Sequence, residues 1–197
     1  MKGILFVMSG PSGTGKGTIC ERLLQSEEIF LSVSATTRER RIGETEGITY
    51  NYLSVDEFEK LIEQGEMLEY AKYNGNYYGT PKKNVEKMLD SGTNVLLEIE
   101  PQGALKVKTI FPEAVLLFVA PPSMAELKKR LVDRGRENEE QIKQRLDAAA
   151  WELNQAAKYN YVIVNDNLDE CVKKVANILD QKVKERNFTE KLLKEKY

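Results

Sequence analysis

Apolar and polar positions fall in blocks along this chain. Ile4 to Met8, Asn94 to Glu100, Ala114 to Ala120 and Tyr161 to Val164 are short, largely apolar runs of strand length, each bounded by turn or capping residues. Strands apolar on both faces belong in a parallel sheet covered by helices on each side. The segments between them carry helical spacing. Thr18 to Gln25 places Ile19, Leu23 and Leu24 on one face, and Ser54-Val55-Asp56-Glu57 opens a helix with a capping residue and an acid three places on, ending before Gly65. Further helices are expected from Pro81 to Gly92, Pro101 to Lys108 and Ser123 to Arg134. A long one carries Arg145 and Trp151, and a last one starts at Leu168, with its charged end from Glu185 to Tyr197 expected to fray. Phe30 to Ser34 and Tyr50 to Leu53 read as short strands, and Met67 to Tyr73 with Tyr77 and Tyr78 as extended pieces around a turn at Asn74-Gly75-Asn76. The fold class is α/β, a parallel sheet flanked by helices, and ligands of such sheets sit beyond the C-terminal ends of the strands.

That edge carries the chemistry. Directly after the first apolar run comes Ser9-Gly10-Pro11-Ser12-Gly13-Thr14-Gly15-Lys16-Gly17-Thr18, and a helical pattern follows. Glycines here let successive backbone N–H groups point into one concavity, the helix start adds the positive end of its dipole, and Lys16 adds a full charge. A polyphosphate fits such a loop. Gly10 and Gly15-Lys16 keep the G-x-x-x-x-G-K spacing of the Walker A loop, but Gly17 follows the Lys and the hydroxyl comes one place later, at Thr18. Magnesium is therefore expected to be held by phosphates and water, with no direct protein ligand assigned. A plain Gly/Ser turn between strand and helix is the alternative, and the coincidence of strand, glycine spacing, Lys and helix argues against it.

Composition narrows the field. A chain of 197 residues supports one domain with a substantial core, and its 41% hydrophobic and 30% charged fractions are those of an ordinary globular protein. A net charge of −2 gives no case for nucleic acid or an acidic membrane as partner. The chain has no histidine, which removes imidazole catalysis and imidazole metal ligation. Cys20 and Cys171 make no metal-binding spacing and read as core or half-buried thiols. The N-terminal apolar run is too short for a signal sequence, so the expected location is cytoplasmic.

Ala35 to Glu44 is polar, rich in arginine and without a helical or strand period. Arg38 and Arg41 can grip a phosphate bidentately, with Tyr50 and Tyr78 donating hydroxyls, so a second phosphorylated molecule is the expected acceptor. A solvated basic loop is the alternative.

Taken together, the motifs resemble those of the guanylate kinases. The resemblance rests on the loop at 9–18, Ser34-Ala35-Thr36-Thr37-Arg38 with Arg41 and Gly43-Glu44, Gly75-Asn76-Tyr77-Tyr78-Gly79-Thr80, Leu97-Glu98-Ile99-Glu100 with Gln102-Gly103, Pro121-Pro122-Ser123, and Val164-Asn165-Asp166. It runs from about Lys2 to about Val183. It implies a phosphate-loop core (1–32, 83–124 and 156–197), an inserted GMP-binding subdomain (33–82) and a lid (125–155). It also implies transfer of phosphate from ATP, with magnesium, to GMP, and extends the expectation to dGMP. Position by position, Arg38, Arg41, Tyr50 and Tyr78 match the GMP phosphate site, and Ser34, Glu69, Thr80 and Glu100 the guanine site. Lys16, Arg38, Arg134 and Arg145 match the cations around the transferred group. Carboxylates at Glu69 and Glu100 complement the N1 and N2 donors of guanine, and adenine would leave them unpaired. Glu100 stands where the family has Asp, Pro101 where an apolar residue is usual, and Arg40 where Pro is common. Arg136 stands where Thr is common and reads as solvated. The alternatives are a kinase for another monophosphate on the same scaffold and a guanylate-kinase-like module that binds peptides, and the intact Lys16, Arg38 and Arg41 weigh against the second. Oligomeric state is not legible.

Overall fold

A computed structural model describes residues 2–73, 75–133, 135 and 138–196. Its main sheet holds β1 (Leu5–Ser9), β2 (Ile29–Leu31), β7 (Asn94–Glu98), β8 (Val115–Ala120) and β9 (Tyr161–Val164), all parallel in the order β2-β7-β1-β8-β9. Alternation along each strand divides the core into two layers. Leu5 and Val7 of β1, Val95 and Leu97 of β7, and Leu116 and Phe118 of β8 face one way, against Val85 and Leu89 of α3 (Lys82–Asp90) and Ala104 and Val107 of α4 (Pro101–Ile110). Phe6, Met8, Leu96 and Leu117 face the other way, against Ile19, Cys20 and Leu23 of α1 (Lys16–Ser26) and Cys171, Val175 and Leu179 of α7 (Leu168–Lys196). Both thiols are thus free core residues, as their helical positions predict.

The second sheet is the larger departure from the sequence pattern. β3 (Ala35–Thr36), β4 (Asn51–Tyr52), β5 (Met67–Tyr73) and β6 (Asn76–Pro81) form a mixed sheet in the order β4-β3-β6-β5. The strand expected at Phe30 to Ser34 is shorter and earlier, Ile29–Leu31, and Ala35–Thr36, expected as aperiodic loop, is a strand that pairs in the other sheet. The physical reason is that β3 is held from far away in sequence, by Gly79 and Tyr78 across the ladder and by the Thr36 hydroxyl donating to the Tyr77 carbonyl at 2.8 Å. Asn76, expected in the turn, opens β6, and Asn74 lies outside the described residues. α2 (Val55–Glu63) begins with the expected capping box: the Ser54 hydroxyl accepts from Glu57 N at 3.2 Å, and the Glu57 carboxylate accepts from Ser54 N at 2.8 Å.

β7 stops at Glu98, and Glu100, expected within the strand, stands just before α4 without a side-chain capping bond, with Pro101 in the first turn, where a missing N–H costs nothing. α5 (Met124–Asp133) and α6 (Glu139–Asn154) share a small core of Leu127, Leu131 and Ala149. A 3-10 turn at Ala156–Lys158 leads into β9. α7 runs to Lys196, and Arg186 within it donates to the Lys2 carbonyl at 2.9 Å, tying that stretch to the first residues of the chain. No helix among the described residues is long and apolar enough to cross a membrane.

Candidate active site

The loop from Gly10 to Lys16 leaves β1 at its C-terminal end and turns directly into α1. Gly15, the residue before the helix, has φ 90°, and a Cβ there would lie 2.6 Å from Asn165 Nδ2. That close approach is used: Asn165, itself buried, donates from Nδ2 to the Thr14 carbonyl at 2.8 Å, so the end of β9 pins the loop. Gly10, at φ 141°, lies so close to β8 that a Cβ would meet the Val119 carbonyl oxygen at 2.1 Å. Buried Thr14 closes the turn, its hydroxyl donating to the Pro11 carbonyl at 2.9 Å. Leu127 and Leu131 of α5 pack against Gly13.

Lys16 curls back over this loop, donating from Nζ to the carbonyls of Gly10 at 2.6 Å and Pro11 at 3.0 Å. Burial pulls its pKa down, opposed by the carboxylates of Glu98, Glu152 and Glu100. A desolvated ammonium beside open backbone N–H groups is primed for an anion. Gly17 faces Glu98, whose two carboxylate oxygens lie 3.8 Å from where a Cβ would stand, while Thr18 is exposed on α1.

Ser12 of the loop lines a cleft of about 860 Å³ together with Ser34, Arg38, Arg41, Tyr50, Glu69, Tyr78, Glu98, Glu100 and Arg145. Sequence reasoning named each of these except Glu98 as a site residue, and the fold brings them from both sheets and α6 into one space. Thr80 sits behind the wall, buried, and donates to Glu69 Oε1 at 2.8 Å. Glu69 is 7% exposed, and its carboxyl pKa is raised by that burial, against the Thr80 bond and Lys106, which hold it down. Gly103 of α4 makes room for it: a Cβ there would lie 2.6 Å from Glu69 Oε2. Arg145 of α6 donates from Nη1 to the Ser12 hydroxyl, joining α6 to the phosphate loop. Arg134 and Arg136 lie outside the described residues.

Arg38 is engaged. Its Nη2 meets Glu44 Oε1 at 2.8 Å and Oε2 at 3.0 Å, and its guanidinium lies 5.7 Å from the Tyr50 ring centroid and 6.0 Å from that of Tyr52. Tyr50 meets Tyr78 edge to face, their centroids 6.1 Å apart.

A cleft that joins a phosphate loop, paired arginines and a buried carboxylate suits two phosphorylated ligands, one of them carrying a base with N–H donors. Comparison with known proteins agrees. The guanylate kinase family model matches residues 2–182. The guanylate kinase of Clostridium perfringens strain SM101 is 51% identical over 197 residues, covering 99% of this chain and 91% of its own. The chain belongs to the guanylate kinase family. The guanylate kinase of Clostridium acetobutylicum is 53% identical over 178 residues, covering 90% of this chain and 85% of its own. The crystal structure of guanylate kinase from Anaplasma phagocytophilum superposes with a TM-score of 0.77 at 37% identity, covering 92% of this chain and 86% of that one. As a guanylate kinase the chain is a phosphotransferase of the nucleoside monophosphate kinase kind, built on a parallel sheet flanked by helices.

Three residues that matter to the site escaped the sequence reading of roles. Glu98 and Gly103 stood inside quoted motifs, and their positions at a strand end and a helix start were the available signal. Glu152 carried none. On α6 it feels Lys16, Glu100 and Arg145, and burial pushes its carboxyl up to about 7.

Proposed function

We propose that the chain transfers the γ-phosphate of ATP to GMP, and to dGMP, giving ADP and the nucleoside diphosphate. The observation that carries this reading is the shared cleft, in which Ser12 of the phosphate loop, Arg38 and Arg41, and buried Glu69 line one space. Gly10 to Thr18 would cradle the ATP phosphates, and Lys16 would exchange its two carbonyl acceptors for phosphate oxygens. Arg38, Arg41, Tyr50 and Tyr78 would hold the GMP phosphate. Ser34, Glu69, Thr80 and Glu100 would read guanine, with Thr80 fixing the Glu69 carboxylate so that its other oxygen accepts from the base.

In this division the second sheet (within 33–82) is the GMP-binding subdomain, and residues 125–155, which hold α6 and all of α5 but its first residue, form the lid. Closure of the two would exclude water and protect ATP from hydrolysis. The attacking oxygen belongs to an already anionic phosphate, so the protein's part is positioning and charge neutralisation by Lys16, Arg38, Arg134 and Arg145, and no strong general base is needed.

Magnesium fits beside the first turn of α1. Gly17 adds no side chain on the side facing Glu98, an oxygen donor of the hard type this ion prefers, and the ion ordinarily keeps several of its waters. Glu98 would hold it through water, and the ion would supply charge neutralisation on the phosphates. The partners in this reading are small molecules, ATP and GMP, with no nucleic acid or membrane partner, and the place of action is the cytoplasm, in keeping with two free, buried thiols.

The test is ADP formation with ATP and magnesium, comparing GMP, AMP, CMP and UMP as acceptors with no acceptor at all. Turnover confined to GMP and dGMP is expected. Equal turnover with another monophosphate would discard the guanine site, and turnover without an acceptor would discard transfer.

A further inference from the structure

Glu44 sits in the middle of a cluster that would be expected to exclude it. A carboxylate among Arg38, Arg41, Tyr50 and Tyr78 opposes the arrival of an anion unless it does something for the cations there. We infer that Glu44 is a positioning residue, which shapes Arg38 and the turn carrying Arg41 to receive the GMP phosphate before GMP arrives. This rests on the assignment of Arg38 and Arg41 to that phosphate.

Every contact of Glu44 has this effect. Both carboxylate oxygens take Arg38 Nη2, at 2.8 and 3.0 Å, and leave the Nε side of the guanidinium out of the contact. Oε2 also accepts from the Arg41 backbone N–H at 2.8 Å, closing the turn that carries the Arg41 side chain into the cleft. The same oxygen accepts from the Tyr52 hydroxyl at 2.8 Å, tying that turn to β4. The pair is well shielded, with side chains 13% and 18% exposed for Arg38 and Glu44. Arg38 lies against the rings of Tyr50 and Tyr52, so its guanidinium is fixed from two sides. With Arg38 as hydrogen-bond donor and the Arg41 N–H and Tyr52 hydroxyl adding to it, the Glu44 carboxyl is held down to about 2, so the ion pair is intact at any working pH. Holding a guanidinium and its loop in the bound shape spares the ligand the entropy of ordering them. The charge of Glu44 is spent on Arg38.

The experiment is steady-state kinetics of Glu44→Gln and Arg38→Ala, singly and together, with thermal melts of each. Gln keeps the shape and one acceptor but loses the charge. KM for GMP should rise about tenfold in Glu44→Gln, the size expected of a hydrogen bond to a charged group. kcat should fall by less, and KM for ATP should hold. In the double variant the rise in KM for GMP should fall well short of the product of the two single rises, because much of what Glu44 does passes through Arg38. Unchanged or lower KM for GMP in Glu44→Gln would overturn the inference, as would losses that multiply in the double variant. An unchanged KM in Arg38→Ala would overturn the phosphate assignment and the inference with it. Should Glu44→Gln fail to fold, Tyr52→Phe removes only the third contact. It should raise KM for GMP by a smaller factor, about threefold, without touching KM for ATP, and no rise would overturn the inference.

Discussion

The two halves of the cleft are made by different means. The loop after β1 is fixed from below by the buried strands β1 and β8, with its shape held by backbone and by Asn165 and Thr14. The second sheet has two strands of only two residues, and its binding groups are held by side chains clasping one another: Glu44 on Arg38 and Thr80 on Glu69. A loop held mainly by backbone over a packed core has few ways to move. A small sheet of clasped side chains can move and can be tuned one bond at a time. The division suits the proposed transfer, in which a fixed donor site would wait for an acceptor site to close.

The largest expected effect comes from the rigid half. Lys16→Ala should lower kcat on the order of a thousandfold or more, the scale of losing a charged donor aimed at a developing anion. Its melting temperature should not fall, because the ammonium is desolvated in the folded protein and its removal relieves that cost. Near-normal turnover would break the comparison at its root.

Gly103→Ala probes the other half without altering any charge. The new Cβ would stand 2.6 Å from Glu69 Oε2 and must push the carboxylate off its place. One displaced bond to a buried charge predicts a rise in KM for GMP of about ten- to a hundredfold. KM for ATP should stay as it is. A matching rise for ATP would show that the halves are not separable.

These residues also mark what a sequence can show. The tight loop between β1 and α1 was legible because its glycines, Lys16 and the following helix are contiguous, so local spacing carries the whole turn. The same holds for the Ser54–Glu57 capping box, for the buried strand Val115–Ala120 and for the edge strand Tyr161–Val164, whose Val162 and Val164 are exposed. Ala35–Thr36 was not legible, since two residues cannot show a period and their pairing partners lie around Tyr78. Glu69 and Thr80 acquired roles through the resemblance and the chemistry of guanine, and no periodicity relates them. The service of Glu44 to Arg38 and the setting of Glu152 exist only once the chain is folded.

Glu152 lies where the halves meet, among Lys16, Glu100 and Arg145. Its carboxyl is raised from the ordinary 4.5 to about 7, chiefly by burial. The folded protein therefore keeps a proton that the unfolded chain has released, and folding loses stability as pH rises from about 4.5 through about 7. Glu152→Gln removes that loss. Its melting temperature should exceed the parent's by a few degrees at pH 8, and the gap should close at pH 4, where both side chains are neutral. An equal gap at both values would assign the effect to packing.

The smallest effect should come from Ser54→Ala, which touches neither ligand. It removes the side-chain acceptor for Glu57 N and leaves α2 with an uncapped first turn, a loss of about 1 kcal/mol. α2 packs through Phe58 on Tyr77 of the second sheet, ring centroids 5.2 Å apart and nearly parallel. The loss should thus be felt in that sheet, where amide exchange of β3 and β6 should quicken about fivefold if they open together with α2, since 1 kcal/mol is a factor of that size. Exchange in β1 and β8 should not change. If instead all four strands quicken equally, the two halves unfold as one unit, and the contrast between an anchored donor site and a tunable acceptor site does not extend to their stability.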